Sequence, residues 1–250
     1  MAMLFGHCVH TALEALHQGQ GVGCPVTATP HTNHLECARS IYWQNFDSMR
    51  AQLLPEGVTV DGMLYLEGLR MIDQVAALGL NRDGKSSAER WFSIPTAWGG
   101  LDWPVVGAID LWSPPWGRFG PVVWDFKTTV GSWSAKRAEQ ERWQPLFYTW
   151  AYVRAYDIVP TFRYLVLSRT SGEVNFFDRV WKTRKAWNDD LNDLEFECEE
   201  IAEAVADGNF DCSRGHGSCL ECGESYGHDH VCATPKRHSL TLTGAGRTSL

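Results

Sequence analysis

The chain has no run of about 18 apolar residues, which excludes a conventional membrane-spanning helix. Its first ten residues, MAMLFGHCVH, lack the basic start and long apolar stretch of a secretory leader. The expected compartment is therefore the cytoplasm. Positive charge is also scarce, with 22 Lys and Arg against 30 Asp and Glu and a formal net charge of −8. That balance argues weakly against a nonspecific nucleic-acid binder, because phosphate contacts draw on Lys and Arg. The average hides an uneven distribution, since nine acids fall within residues 189–207. If that stretch is a helix with Leu191, Leu194, Ile201 and Val205 inward, its acids are a solvated face and the remainder is close to neutral.

What is present is enough apolar material for a globular core. Over 250 residues that implies one domain, or one domain with an appendage. Apolar spacing predicts an opening helix over 7–17, then, after a Gly-, Pro- and Thr-rich stretch at 18–33, two amphipathic segments near 35–54 and 60–78. From Ala88 the character changes to short β-rich runs at 90–98, 103–112 and 120–129, which read as an antiparallel meander. A helix containing residues 147–156, strands at 161–168 and 174–181, and the acidic helix follow. This order predicts an α/β fold, a mixed β-sheet flanked by helices. The expected division is residues 1–207 for the main domain, 208–232 for a cysteine-rich segment and 233–250 for a flexible tail.

Two of the apolar runs end in acid: Asp110 closes VVGAID and Asp125 closes PVVWD. If SPPWGRFG is the loop between them, neighbouring strands can bring the two carboxylates together. Asp125 and Lys127 are two apart and project from one strand face. Two carboxylates and an ammonium are what a divalent-cation phosphodiester hydrolase needs. Mg²⁺ or Mn²⁺ prefers hard oxygen ligands, and the bound cation acidifies water and offsets charge growing on phosphate. From the Asp125–Lys127 pair alone, a salt bridge at a strand end is the commoner explanation.

The surrounding pattern changes that weighing. In order, the chain carries GHCVH (Gly6 to His10), GAID (Gly107 to Asp110), DFK (Asp125 to Lys127) and QPLFY (Gln144 to Tyr148). With these elements it resembles the PD-(D/E)XK nuclease superfamily, specifically its RecB-like exonuclease branch, which includes CRISPR-associated and phage-encoded exonucleases. The resemblance implies a restriction-endonuclease-like sheet core and a DNA exonuclease of recombination, repair or phage DNA processing, in the host cytoplasm if phage-encoded. Its partner would be DNA, single-stranded or end-bearing duplex. It implies that His10, Asp110, Asp125 and the backbone carbonyl of Phe126 ligate the metal, and that Lys127 is the catalytic lysine. Gln144 and Tyr148 would line the site or contact DNA, with Glu89 as an auxiliary acid. Taken singly, a His on an amphipathic helix is usually a surface or packing residue, and His7 and His17 are read so. An imidazole ligand suits Mn²⁺ better than Mg²⁺. Glu14, one turn after His10, could support a second cation or a charge pair. Pro145 is comfortable only in a first helical turn. An endonuclease of the same superfamily, or a non-catalytic nucleic-acid-binding or assembly protein on the same fold, are the competing readings.

Cysteine is concentrated late: Cys212, Cys219, Cys222 and Cys232 lie in the last 40 residues. In a reducing compartment such clustering points to thiols or metal ligands rather than disulfides. Cys219-x-x-Cys222 can turn both sulfurs onto one metal. By resemblance this is a [4Fe-4S] cluster, with Cys212 local, or Cys8 or Cys24 reaching across, as fourth ligand. Zn²⁺ held by Cys219, Cys222 and two of Cys212, Cys232, His216, His228 and His230 satisfies ligand preference equally well. Cys37 and Cys198 read as ordinary buried thiols. Basic residues gather at 136–142 and 179–185, where they could guide a phosphate backbone.

Overall fold

Strand-forming runs rich in Val, Ile, Trp and Phe build a single five-stranded sheet in which sequence order is also spatial order. The computed structural model describes residues 2–17, 34–53, 57, 60, 62–80, 85–100, 102–131 and 133–207. Strands β1 (Ser87–Ile94), β2 (Val105–Ser113) and β3 (Val122–Thr129) form the expected antiparallel meander. The chain then crosses over through α4 (Ala135–Gln140) and α5 (Trp143–Tyr156) to β4 (Thr161–Ser168), parallel to β3 over all eight residues. β5 (Val174–Arg179) returns antiparallel as the second edge. A parallel neighbour needs such a crossover, and this one puts α5 against the sheet.

The two faces are covered by different helices. α1 (Ala2–His17), α2 (His34–Leu53) and α3 (Gly62–Leu78) bury Phe5, Val9, Leu13, Tyr42, Met71 and Ile72 with Trp124 and Phe126 of β3. The opposite face packs Ile94, Ile109, Val123, Phe162 and Tyr164 with Ala151 and Tyr152 of α5. α6 (Arg184–Ala206) joins through Trp187, whose indole N–H donates to Thr149 Oγ1 at 3.0 Å. Its buried positions are Trp187, Leu191, Leu194 and Cys198. Ile201, expected inward, is 54% exposed, so the inward stripe is set earlier in the helix.

The described residues fall into two compact units. One comprises Met1–Ile94 and Pro104–Leu194; the other joins Pro95–Trp103 to the chain from Glu195 onward. Within the second, Gly99 adopts φ 56° against α6, where a Cβ would lie 2.7 Å from the Glu203 backbone nitrogen. Residues 208–250, including the four clustered cysteines and the expected tail, lie outside the described residues. Cys8 and Cys198 are free buried thiols. Cys37, expected as one too, is instead disulfide-bonded. Among the described residues no helix is long and apolar enough to cross a membrane.

His17 ends α1 almost wholly buried, with its ring 5.8 Å from that of Phe126. Burial, assisted by His34, lowers its pKa to about 4. The unfolded chain binds this proton near the usual 6.5 and the folded chain only near 4. The neutral ring's contribution is therefore full above the unfolded value and is lost as pH falls toward 4. His17→Leu should flatten the decline in unfolding free energy between pH 6.5 and 4 by about 3 kcal/mol, measured by urea titration at each pH. Parallel pH profiles for wild type and variant would refute it.

Candidate active site

The site forms where β2 and β3 stop pairing. Their ladder runs from Ser113–Val122 to Leu111–Trp124 and ends there. One step further the register sets Asp110 opposite Asp125. Instead of a backbone pair, the Asp110 carboxylate accepts the Phe126 N–H at 2.6 Å. A side chain thus satisfies a donor that the splayed strands leave open. The neighbouring ladder is distorted at the same level. Glu89, facing Asp110 across β1–β2, has a left-handed backbone with φ 47°. Leu111 belongs to the core under the N-terminal helices and Ile109 to the core under α5, so two-residue alternation breaks between them, at Asp110.

Around Asp110 lies a cavity of about 400 Å³ lined by Gly6, His10, Glu14, Glu89 and Phe126 among others. The Gly6 position lets α1 approach the sheet, since a Cβ would sit 3.1 Å from Thr128 Oγ1. One turn on, His10 Nδ1 is 3.7 Å from Asp110 Oδ1. Burial disfavours the charged imidazole, but Asp110 and Asp125 together outweigh it and raise the His10 pKa. Burial, then Glu14 and Asp110, raise that of Glu89. Negative charge is therefore crowded here beyond what the nearby imidazole balances. His7, read as a surface residue, also lines this cavity, three residues before His10 on the same helix.

Asp125 presents the second half of the site. It is 1% exposed. Lys127 Nζ lies 2.8 Å from its Oδ2 as an ion pair, and Gln144 Nε2 donates to its Oδ1 at 2.6 Å. Gln144 Oε1 accepts from Lys127 at 2.8 Å, and Gln144 Nε2 also donates to Tyr148 Oη at 3.0 Å. One amide therefore ties together the acid, the base and the phenol. Burial raises the Asp125 pKa to about 7, with Lys127 opposing and Asp110 assisting. Burial likewise raises the Tyr148 pKa.

α5 delivers Gln144 and Tyr148 at i and i+4, on one face. Arg142 is its N-cap, so Gln144 is the second helical residue and Pro145 the third. Pro145 still sits in the first turn, where backbone N–H groups lack helical partners in any case. Gly107 of the GAID element serves packing: it pairs with Phe92, whose ring would lie 2.7 Å from a Cβ there. Phe92 in turn meets Tyr148 edge-on at 5.9 Å. Tyr164, not anticipated from sequence, stands beside Asp125 in the parallel register and carries Lys127 Nζ 5.9 Å from its ring centroid. Only the β3–β4 pairing reveals it.

Eight of the side chains singled out from the sequence thus surround one junction: His10, Glu14, Glu89 and Asp110 at the cavity, Asp125, Lys127 and Gln144 beside it, and Tyr148 behind Gln144. Among the described residues no three His, Cys, Asp or Glu side chains are already arranged as a metal-ligand group. The donor chemistry nevertheless fits a hard divalent cation, with carboxylate oxygens of both aspartates, an imidazole and unbalanced negative charge.

The sequence profile of the PD-(D/E)XK nuclease superfamily matches residues 2–225, and the chain belongs to that superfamily. Members typically use Mg²⁺ or Mn²⁺. No curated protein matches the sequence. Among solved structures, the protein SSO0001 is similar at 13% identity and TM-score 0.41, covering 74% of this chain and 76% of that one. A candidate exonuclease from Eubacterium rectale is similar at 14% identity and TM-score 0.44, covering 80% and 74%.

The left-handed backbone at Glu89 yields a direct test. Such a conformation costs a side-chain-bearing residue about 1–2 kcal/mol, partly offset by the entropy of an added glycine. Glu89→Gly should therefore be about 1 kcal/mol more stable than Glu89→Ala in guanidinium titrations. Equal stabilities would mean that the strand relaxes without this φ.

Proposed function

We propose that the protein is a divalent-metal-dependent DNA exonuclease of the RecB-like type, acting in DNA recombination, repair or phage DNA processing. The observation that carries this reading is the Asp125–Lys127–Gln144 network lying across the β2–β3 splay from Asp110. A salt bridge alone needs neither the splay nor a second acid aimed into it. Asp110, Asp125, the Phe126 carbonyl and His10 would hold the metal, and Glu14 or Glu89 could contribute at the cavity rim. A cation bound there would supply Lewis acidity and a more acidic water.

The remaining steps belong to the chain itself. Lys127 places an ammonium 2.8 Å from Asp125, where it can orient the attacking water and stabilise charge at phosphorus. Gln144 holds Lys127 and Asp125 in mutual register through opposite ends of one amide, with Tyr148 fixing that amide. Phe126 N–H fixes the Asp110 carboxylate, leaving its second oxygen toward His10. The buried setting strengthens each of these interactions relative to water.

The C-terminal cysteine reading is a separate proposal carried by residue pattern alone: Cys212, Cys219, Cys222 and Cys232 hold a [4Fe-4S] cluster, with Zn²⁺ as the alternative. Brown anaerobic protein whose visible absorption fades in air is expected. Stoichiometric zinc in colourless protein would select the alternative.

For the nuclease reading, end-labelled single- and double-stranded DNA is incubated with Mn²⁺ or Mg²⁺. Wild type should release mononucleotides stepwise, and faster with Mn²⁺ if His10 is a ligand. Lys127→Ala and Asp110→Asn should lower the rate by about 100-fold or more. Cleavage of circular DNA would indicate an endonuclease instead. Equal activity of wild type and variants would remove the assignment.

A further inference from the structure

Helix α5 contains no acidic residue, in a chain of net charge −8. Its buried side presents Leu146, Thr149, Tyr152 and Val153 to the core, while Gln144 and Tyr148 turn to the candidate site. The side that remains carries Trp143, Phe147, Trp150 and Arg154, at i, i+4, i+7 and i+11. Trp143 is 38% exposed, Arg154 is exposed, and Phe147 and Trp150 are half-buried. Successive rings approach one another at 6.0 Å and 6.5 Å, the second pair inclined by only 24°. Exposed Arg142 caps the start of the helix, preceded by exposed Lys136 and Arg137 on α4.

Trp150 packs partly against the core under α5, and the outward aromatic surface of the row is carried mainly by Trp143 and Phe147. The charged residues of α5 and its N-cap are Arg142 and Arg154, and no acid lies on the helix, while the approach along α4 mixes Lys136 and Arg137 with Glu139 and Glu141. Planar, sequence-tolerant π-faces beside positive charge suit a polyanion that displays planar groups of its own. A duplex hides the faces of its bases inside the stack, whereas a single strand offers them. The row also begins at Trp143, the residue before Gln144, which touches both Asp125 and Lys127. From Trp143 to Arg154 it is about 16 Å long, enough for a few nucleotides.

We propose that this outer row of α5 is a stacking track for single-stranded DNA, continuous at Trp143 with the candidate active site. The track takes its substrate class from the nuclease reading, but binding can be measured without hydrolysis. Fluorescein-labelled oligo(dT) and a labelled hairpin duplex are titrated by anisotropy in EDTA with wild type, Trp143→Leu, Phe147→Leu and Arg154→Glu, each checked for folding by thermal melt. Wild type should prefer oligo(dT). Each aromatic substitution should weaken that binding by about 5- to 150-fold. Arg154→Glu, on an exposed side chain, should weaken it and make its salt dependence shallower.

Equal affinity of wild type for oligo(dT) and duplex overturns the track. So does unchanged oligo(dT) affinity in the folded variants. If Trp143→Leu alters only sedimentation of the protein, the row is a protein contact and the proposal fails. Track-dependent binding by a wild type that hydrolyses no DNA would end the nuclease reading alone, and hydrolysis indifferent to the track would do the reverse.

Discussion

Asp125 is a carboxylate almost wholly removed from water, and the elements around it are arranged by the partners it requires. A buried carboxylate without compensation is expensive, so its proton affinity rises until charge or hydrogen bonding offsets the lost hydration. Here the offset comes from two elements at once. β3 supplies Lys127 two residues on, α5 supplies Gln144, and Tyr148 holds the amide of Gln144 in place. Gln144 reaches Asp125 because β3 and β4 are parallel, since that connection lays α5 over the site. Topology and electrostatics therefore depend on the same residue.

The splay between β2 and β3 follows from the same constraint. Had the ladder continued, Asp110 and Asp125 would have faced each other as an ordinary cross-strand pair, with like charges directly opposed and backbone groups satisfied. The structure instead opens the strands and lets the Asp110 side chain take the Phe126 N–H. The left-handed Glu89 marks the same level of the sheet from the other side of β2. Local irregularities of this kind concentrate where function holds the chain away from its relaxed geometry. Across three strands the irregularity begins at one row, Glu89, Asp110 and Asp125, all acidic.

Much of this was readable from residue spacing. The meander, the extent of β4 and the pairing of Asp125 with Lys127 follow from runs whose period and end residues are unambiguous. What was not readable depends on contacts distant in sequence. Tyr164 acquires its place from the parallel register, which no local pattern encodes. α4 is a six-residue helix in a segment that reads only as basic. Ile201 continues the Trp187, Leu191, Leu194 and Cys198 stripe of α6 by helical spacing yet is exposed, and spacing alone does not say how far along a helix its cover extends. Gly107 looks like a motif residue, yet its local role is to admit the ring of Phe92. Cys37 illustrates the same limit, because a thiol's partner is a matter of tertiary proximity.

Charge distribution settles how an acidic protein could serve an anionic substrate. The nine acids of residues 189–207 account for the net charge, and α5 has none. Screening confines the influence of exposed charges to about 8–10 Å at ordinary ionic strength. A phosphate at the junction would therefore respond to Lys127 and to the cations at the ends of α5, Arg142 and Arg154, more than to the molecular total. The carboxylates at the junction repel it, and under the proposed function a cation would stand between them and the phosphate. The crowding of Glu14, Glu89, Asp110 and Asp125 is thus unfavourable to a phosphate at the junction itself, and under the proposed function entry of the scissile phosphate there would be linked to metal occupancy, whereas binding along the outer side of α5 would not be.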